Sequence, residues 1–291
     1  MLVNAIDTVI QGVLLGGLYA LFATGLSLTF GIMRVVNIAH GDFIILAAYG
    51  ALVGVQLTGV APLWMLVAVV PALAACGYVV QRVLFNPTLG RDIMPPLLVS
   101  FGLSVIIQNG LLEVFSADSR RLQADALVTA SIRLSEDLSI GWFPLLVLLI
   151  AIATTAAVQW VLGHTALGRA FRATSDDQEI VRLMGINDRH INALAMAIAL
   201  AIVGIAGILL GMGTTFDPSL GPSRLLAAFE AVIIGGMGSL WGTFAGGMIL
   251  GIAQTVGLRI DPGWGGLFGH AAFLGVLLFR PTGLFPRTRN H

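Results

Sequence analysis

Long runs without a single charge constrain this chain more than anything else in its sequence. Val9 to Met33, Phe43 to Gln81, Leu138 to Gly163 and Ile191 to Phe216 contain no Asp, Glu, Lys or Arg. A bilayer core is crossed by about 20 apolar residues in a helix, so each run is long enough to span. Composition agrees: 57% of the 291 residues are hydrophobic and 10% charged, against roughly 25% charged in soluble domains. The chain reads as an all-α polytopic membrane protein. Its start, MLVNAIDTVI, has no basic residue before the first apolar run, so the first segment is expected to stay in the protein rather than be cleaved as a signal peptide.

Val9 to Met33 forms the first span. Phe43 to Gln81 suits two spans, with the break at Gly59 and Pro62. The first of these two is short and must extend back through Val36 to reach spanning length. That draws Asn37, His40 and Asp42 to membrane depth, where ionisable groups are costly and face a bundle interior or a water-filled path. The alternative is an interfacial turn whose polar groups are simply solvated. Met94 to Leu112 is the next span, with Pro95 and Pro96 suited to a first helical turn after Asp92. Gln108 and Asn109 near its far end are expected to bond another helix, and Gln108 joins the path candidates. Glu113 to Asp137 is a polar excursion without strong periodicity.

Leu225 to Leu258 has one charge, Glu230, and is too long for a single crossing at 1.5 Å per residue. Gly238, Gly242 and Gly246 keep the four-residue spacing that lets helix backbones approach closely. Two short segments meeting at a break around Ser239 to Thr243 are expected. Glu230 should be paired or hydrated inside the bundle. Pro262 to Phe279 is the last span, giving about nine crossings, within a range of about eight to ten.

Between two spans lies a polar island, Gly163 to Ile191. Ser175 with Gln178 fits a capping box, with Asp176 and Asp177 favoured in a first turn. Ile180, Val181, Leu183 and Met184 are predicted on one face, and Gly185 followed by Ile186 supplies a left-handed stop. So short a helix is marginal alone in water. It must pack on the membrane domain and headgroup layer or on a soluble partner.

Arginine placement sets an orientation. With this loop cytoplasmic, ten of the fifteen Arg are cytoplasmic (34, 82, 91, 169, 172, 182, 189, 280, 287 and 289) and five are outside, as the positive-inside rule favours. The N-terminus is then outside and the C-terminus inside. All fifteen basic residues are Arg, so neither a phosphate-binding P-loop nor Schiff-base chemistry can be built. The five His show no close pair or Cys partner at metal-ligand spacing. Cys76 is alone in an apolar run, no nucleophile motif appears, and zero net charge gives no case for nucleic-acid binding. No catalytic residue, metal or cofactor is expected.

The run GGLYALFATGLSLTFGIMRVVNIAHGDFIILAAYGA, from Gly16 to Ala51, resembles the N-terminal signature of permease subunits of branched-chain amino-acid ABC importers. LLVSFGLSVIIQN (Leu97 to Asn109), LGRAFRATSDDQEIVRLMGIN (Leu167 to Asn187), AVIIGGMGSLWGTFAGG (Ala231 to Gly247) and FRPTGLF (Phe279 to Phe285) resemble further family blocks in order. Trp241 departs from the proline or small residue expected there. The resemblance implies an ABC importer permease fold in a bacterial inner membrane, with residues 1–291 one transmembrane domain and 163–190 its coupling loop. It implies a second, related permease chain, two cytoplasmic ATPases and an extracytoplasmic solute-binding protein as partners. Arg169, Arg172, Ser175, Asp176, Gln178, Ile180, Leu183, Met184, Gly185 and Ile186 become candidates for ATPase coupling. Asn37, His40, Asp42, Gln108 and Glu230 are candidates for the translocation path. Urea or short amides are the alternative substrates within the family. An ion-coupled secondary carrier, using Asp42 and Glu230, is the alternative from another class.

Overall fold

Helix α1 (Leu2–Met33) is the central strut of the computed structural model, which describes residues 2–90, 92, 94–135 and 138–285. It packs along α11 (Leu240–Ile260), and glycines set the closeness of that pair. A Cβ on Gly16 would lie 2.6 Å from the Met248 Cα, and one on Gly12 would lie 2.5 Å from that of Ile252. Of the predicted glycine series, Gly242 and Gly246 instead meet the helix Gly221–Gly235, where a Cβ would strike the carbonyls of Gly235 and Ala231, and Gly238 lies in the turn with positive φ.

Around this pair stand α2 (His40–Thr58), α3 (Leu66–Val80), α4 (Met94–Phe115), α6 (Trp142–His164), α9 (Asp188–Gly213), α10 (Gly221–Gly235) and α12 (Gly265–Phe279). A 3₁₀ turn, Pro62–Met65, leads into α3, and a wide π turn, Gln81–Phe85, closes it. Among the described residues, seven helices are long and apolar enough to cross a membrane. The shorter α10 and α12 bring the passes between the two faces to nine among the described residues.

Two faces result. One carries the C-terminal end of α1, the loop helices α7 (Ala166–Asp176) and α8 (Gln178–Leu183), and the α10–α11 turn. Backbone bonds from Leu284 and Phe285 to the carbonyls of Ile234 and Gly235 bring the end of the described chain to that same face. The opposite face carries the α1 start, tied by Asp7 to Arg259 at the end of α11. Arg91, Arg287 and Arg289, counted above for orientation, lie outside the described residues.

Several local expectations are corrected. The break in 225–258 falls at residues 236–239: Gly236 and Gly238 take positive φ (100° and 83°), and Ser239 caps α11 by accepting from Gly242 N at 3.2 Å. Helix α10 already starts at Gly221 because Pro222 fits its first turn. The polar excursion carries α5 (Asp125–Thr129) and β1 (Ser131–Ser135), and β1 pairs antiparallel with β2 (Leu138–Gly141), which takes the first residues expected in the next span, so that helix begins at Trp142. Gln108 and Asn109 bond within α4, to Ser104 Oγ at 3.0 Å and the Val105 carbonyl at 2.8 Å, because a turn of their own helix offers the nearer acceptor.

Candidate functional site

After Met33 the chain does not stay at the face. Arg34 takes a left-handed turn (φ 55°) and residues 35–39 climb back beside α1 until His40 meets the Phe22 carbonyl. Phe22 lies eleven residues before Met33, a rise of about 16 Å, so α2 begins deep within the bundle. His40 Nε2 donates to Phe22 O at 2.8 Å, and the Asn37 side-chain oxygen accepts from Ala39 N at 3.1 Å. Asn37, His40 and Asp42 are each 1% exposed, which removes the solvated-turn alternative.

Helix α10 also begins at depth, and its start meets the start of α2. A Cβ on Gly41 would run into the Gly221 carbonyl and sit 2.8 Å from Leu225 N; a Cβ on Gly221 would strike the Asp42 carboxyl. From this contact α2 runs to one face and α10 to the other. Two helix N-termini, each carrying roughly half a positive charge, thus meet with one carboxylate between them. Ser104 and Gln108 of α4 face that carboxyl, though neither reaches hydrogen-bonding geometry and both Asp42 oxygens are unpartnered. The structure therefore brings Asp42 and Gln108 together, with Asn37 and His40 on the same re-entrant segment.

Glu230 belongs to a second cluster. It is 1% exposed and its Oε1 bonds His270 Nδ1 of α12, while Oε2 has no partner. Tyr19 of α1 donates to Gln254 Oε1 of α11 nearby, with Arg224 and Glu230 both within electrostatic reach of Tyr19. The expected pairing of Glu230 is present, and its partner was missed. His270 sits alone in an apolar run, so only the packing of α12 on α10 reveals its role.

In the polar loop, the capping box is replaced. Ser175 lies in the last turn of α7, where its hydroxyl donates to the Gly31 carbonyl at 2.8 Å and its own carbonyl accepts from Arg34 at 3.3 Å. Asp177 caps the shorter α8, accepting from Ile180 N at 3.1 Å. Arg172 bonds the Leu162 carbonyl. The predicted single face splits: Val181 turns inward at 2% exposure, whereas Ile180, Leu183 and Met184 are 55%, 88% and 71% exposed. A six-residue helix shows one side to the bundle, and among its described side chains Val181 is the buried one. The left-handed stop is as expected, with Gly185 at φ 80° and Ile186 N returning to the Val181 carbonyl at 3.2 Å. Arg182 and Asp188 form an ion pair at 2.7 Å that ties α8 to the start of α9.

Between this loop and the α10–α11 turn lies a cavity of about 270 Å³, lined in part by Ser27, Gln159, Arg172, Gly238 and Trp241. Trp241 is 48% exposed there and packs edge-on against Phe244.

This architecture has known counterparts. BraD, a high-affinity branched-chain amino acid transport system permease protein of Pseudomonas aeruginosa, is 30% identical, with 97% of this chain and 96% of that protein covered. LivH of Escherichia coli, named likewise, is 28% identical over 95% and 94%. Among solved structures, PsaBC from Streptococcus pneumoniae in complex with Fab shares the fold with a TM-score of 0.50 at 14% identity, covering 97% of each chain. Residues 8–277 match the family profile for the permease component of the branched-chain amino acid transport system. With that match spanning nearly the whole helical bundle, the chain belongs to the branched-chain amino acid transport system permease family.

Proposed function

We propose that this chain is one of two membrane-spanning permease subunits of an ATP-driven importer, passing branched-chain or other hydrophobic amino acids inward from an extracytoplasmic binding protein. ATP is hydrolysed by two partner ATPases on the face that carries α7 and α8, which is the cytoplasmic face by the arginine bias. The N-terminal end of α1 then lies outside. Residues 1–291 act as a single transmembrane unit.

The observation that carries this reading is the loop itself. Ile180, Leu183 and Met184 present an apolar face to solvent, while the same loop is fastened to α1 through Ser175 and to α9 through Asp188. An exposed apolar patch of this kind marks an interaction site. Closure of the ATPases moves α8, and the two tethers pass that motion to α1 and α9. Those helices hold α2: α1 through Phe22 and His40, and α9 through Gly207, whose missing side chain leaves room for Ala47. Asn37, His40, Asp42 and Gln108 then line the path at the point where α2 and α10 separate. Glu230, paired to His270, holds α12 against α10 beside it.

Reconstitution tests this. Liposomes carrying the chain with its second permease, both ATPases and ATP inside, and binding protein with leucine outside, should accumulate leucine. The chain by itself should not. Uptake by the chain alone under a sodium or proton gradient would replace the importer with a secondary carrier.

A further inference from the structure

Where α3 ends and α9 begins, a recess of about 400 Å³ is lined by Arg82, Asn86, Pro87, Asn187 and Arg189. Its frame is fixed. Asn86 accepts from Gln81 Nε2 and donates to the Arg189 carbonyl, both at 3.0 Å. The Tyr78 hydroxyl bonds His190 Nδ1 at 2.9 Å, and the Arg82 guanidinium lies 5.9 Å from the centre of the Tyr78 ring. Among the described residues neither Arg82 nor Arg189 has a carboxylate partner. The neighbouring acid, Asp188, is engaged by Arg182. Helix α9, capped by Asn187, adds its positive end to the two guanidinium groups.

The surroundings name the occupant. Val79, Val83 and Leu84 are 56%, 63% and 38% exposed along the same stretch, and only 22% of the most apolar window of Pro62–Phe85 is buried. This corner of the bundle therefore faces hydrocarbon up to the point where the arginines begin. We propose that the recess binds the phosphodiester headgroup of an anionic phospholipid, with its acyl chains lying along Val79 and Val83. Planar guanidinium groups suit a phosphate because each offers parallel donors to two oxygens. Basic pockets between membrane helices at the headgroup layer recognise such lipids.

The test uses the assembled transporter in nanodiscs of phosphatidylethanolamine with phosphatidylglycerol as a minor component, followed by detergent exchange and mass spectrometry of the lipids retained. Wild type should retain phosphatidylglycerol above its bulk share and show no enrichment of phosphatidylethanolamine. Each arginine contributes about fivefold, so Arg82→Gln with Arg189→Gln should lower retention roughly 25-fold. Arg82→Lys, which keeps the charge but loses the parallel donors, should fall between wild type and Arg82→Gln, and Arg280→Gln, on the same face, should leave retention unchanged. Equal retention by wild type and the double variant overturns the proposal. So does displacement of the lipid by inorganic phosphate, which would make free phosphate the ligand. Loss of ATPase association with lipid retention unchanged also overturns it, by assigning the recess to a protein partner.

Discussion

Gly41→Ala probes the meeting of the two helix N-termini directly. The added methyl would enter the Gly221 carbonyl oxygen and crowd Leu225 N. Both are backbone atoms that no rotamer change can move. An ordinary carbon–oxygen contact is about 3.3 Å or longer, so α10 must retreat by well over about 1 Å. Forcing a methyl into a packed core costs about 1–3 kcal/mol, and the backbone obstacle puts this case toward the upper end. At this chain length each kcal/mol corresponds to roughly 2–4 °C in melting temperature. The detergent-solubilised complex should thus melt several degrees lower, and transport should fall further than stability because α10 is displaced from Asp42. Gly102→Ala, where nothing lies within 4 Å of the new methyl, should leave uptake unchanged and melting no lower than wild type, since alanine is favoured over glycine within a helix by about 1 kcal/mol. Wild-type melting and wild-type uptake in Gly41→Ala would refute the contact, and with it the argument that one carboxylate serves two helix ends.

Three further outcomes are expected. Leu183→Ala with Met184→Ala should weaken ATPase association, by about 2 kcal/mol or more if either is an interface anchor; co-purification and binding-protein-stimulated ATP hydrolysis at wild-type levels would remove α8 from coupling. Gly185→Val places a β-branched residue at φ 80°, a strain of about 1–3 kcal/mol, and should reduce stimulated hydrolysis more than Gly185→Asn does, as read by the same ATPase assay. Glu230→Gln should preserve complex yield and uptake better than Glu230→Leu, because the amide can still bond His270; equal uptake by both variants would separate the pair from transport.

The sequence alone determined where the chain spans, because a run of twenty uncharged apolar residues has few other fates. It also determined the left-handed stop at Gly185, a local requirement that glycine meets without steric cost, and it showed that residues 225–258 are too long for a single crossing. For Asn37, His40 and Asp42 the short second run left membrane depth and a solvated turn both open, and their burial in the folded chain separates the two. What only the tertiary structure decided is which polar groups meet. Asp42 and Gly221, or Glu230 and His270, are far apart in the chain, and their juxtaposition depends on which side each helix turns to its neighbours. In a soluble protein an apolar stripe would announce that side. Here lipid and protein are equally apolar surroundings, so a helix such as α12 carries no such stripe, and its one histidine gives no sign of its partner. Val181 is the same lesson at short range: its neighbours Ile180, Leu183 and Met184 are as apolar as it is, and only the fit of α8 against the bundle turned Val181 in and left the other three exposed.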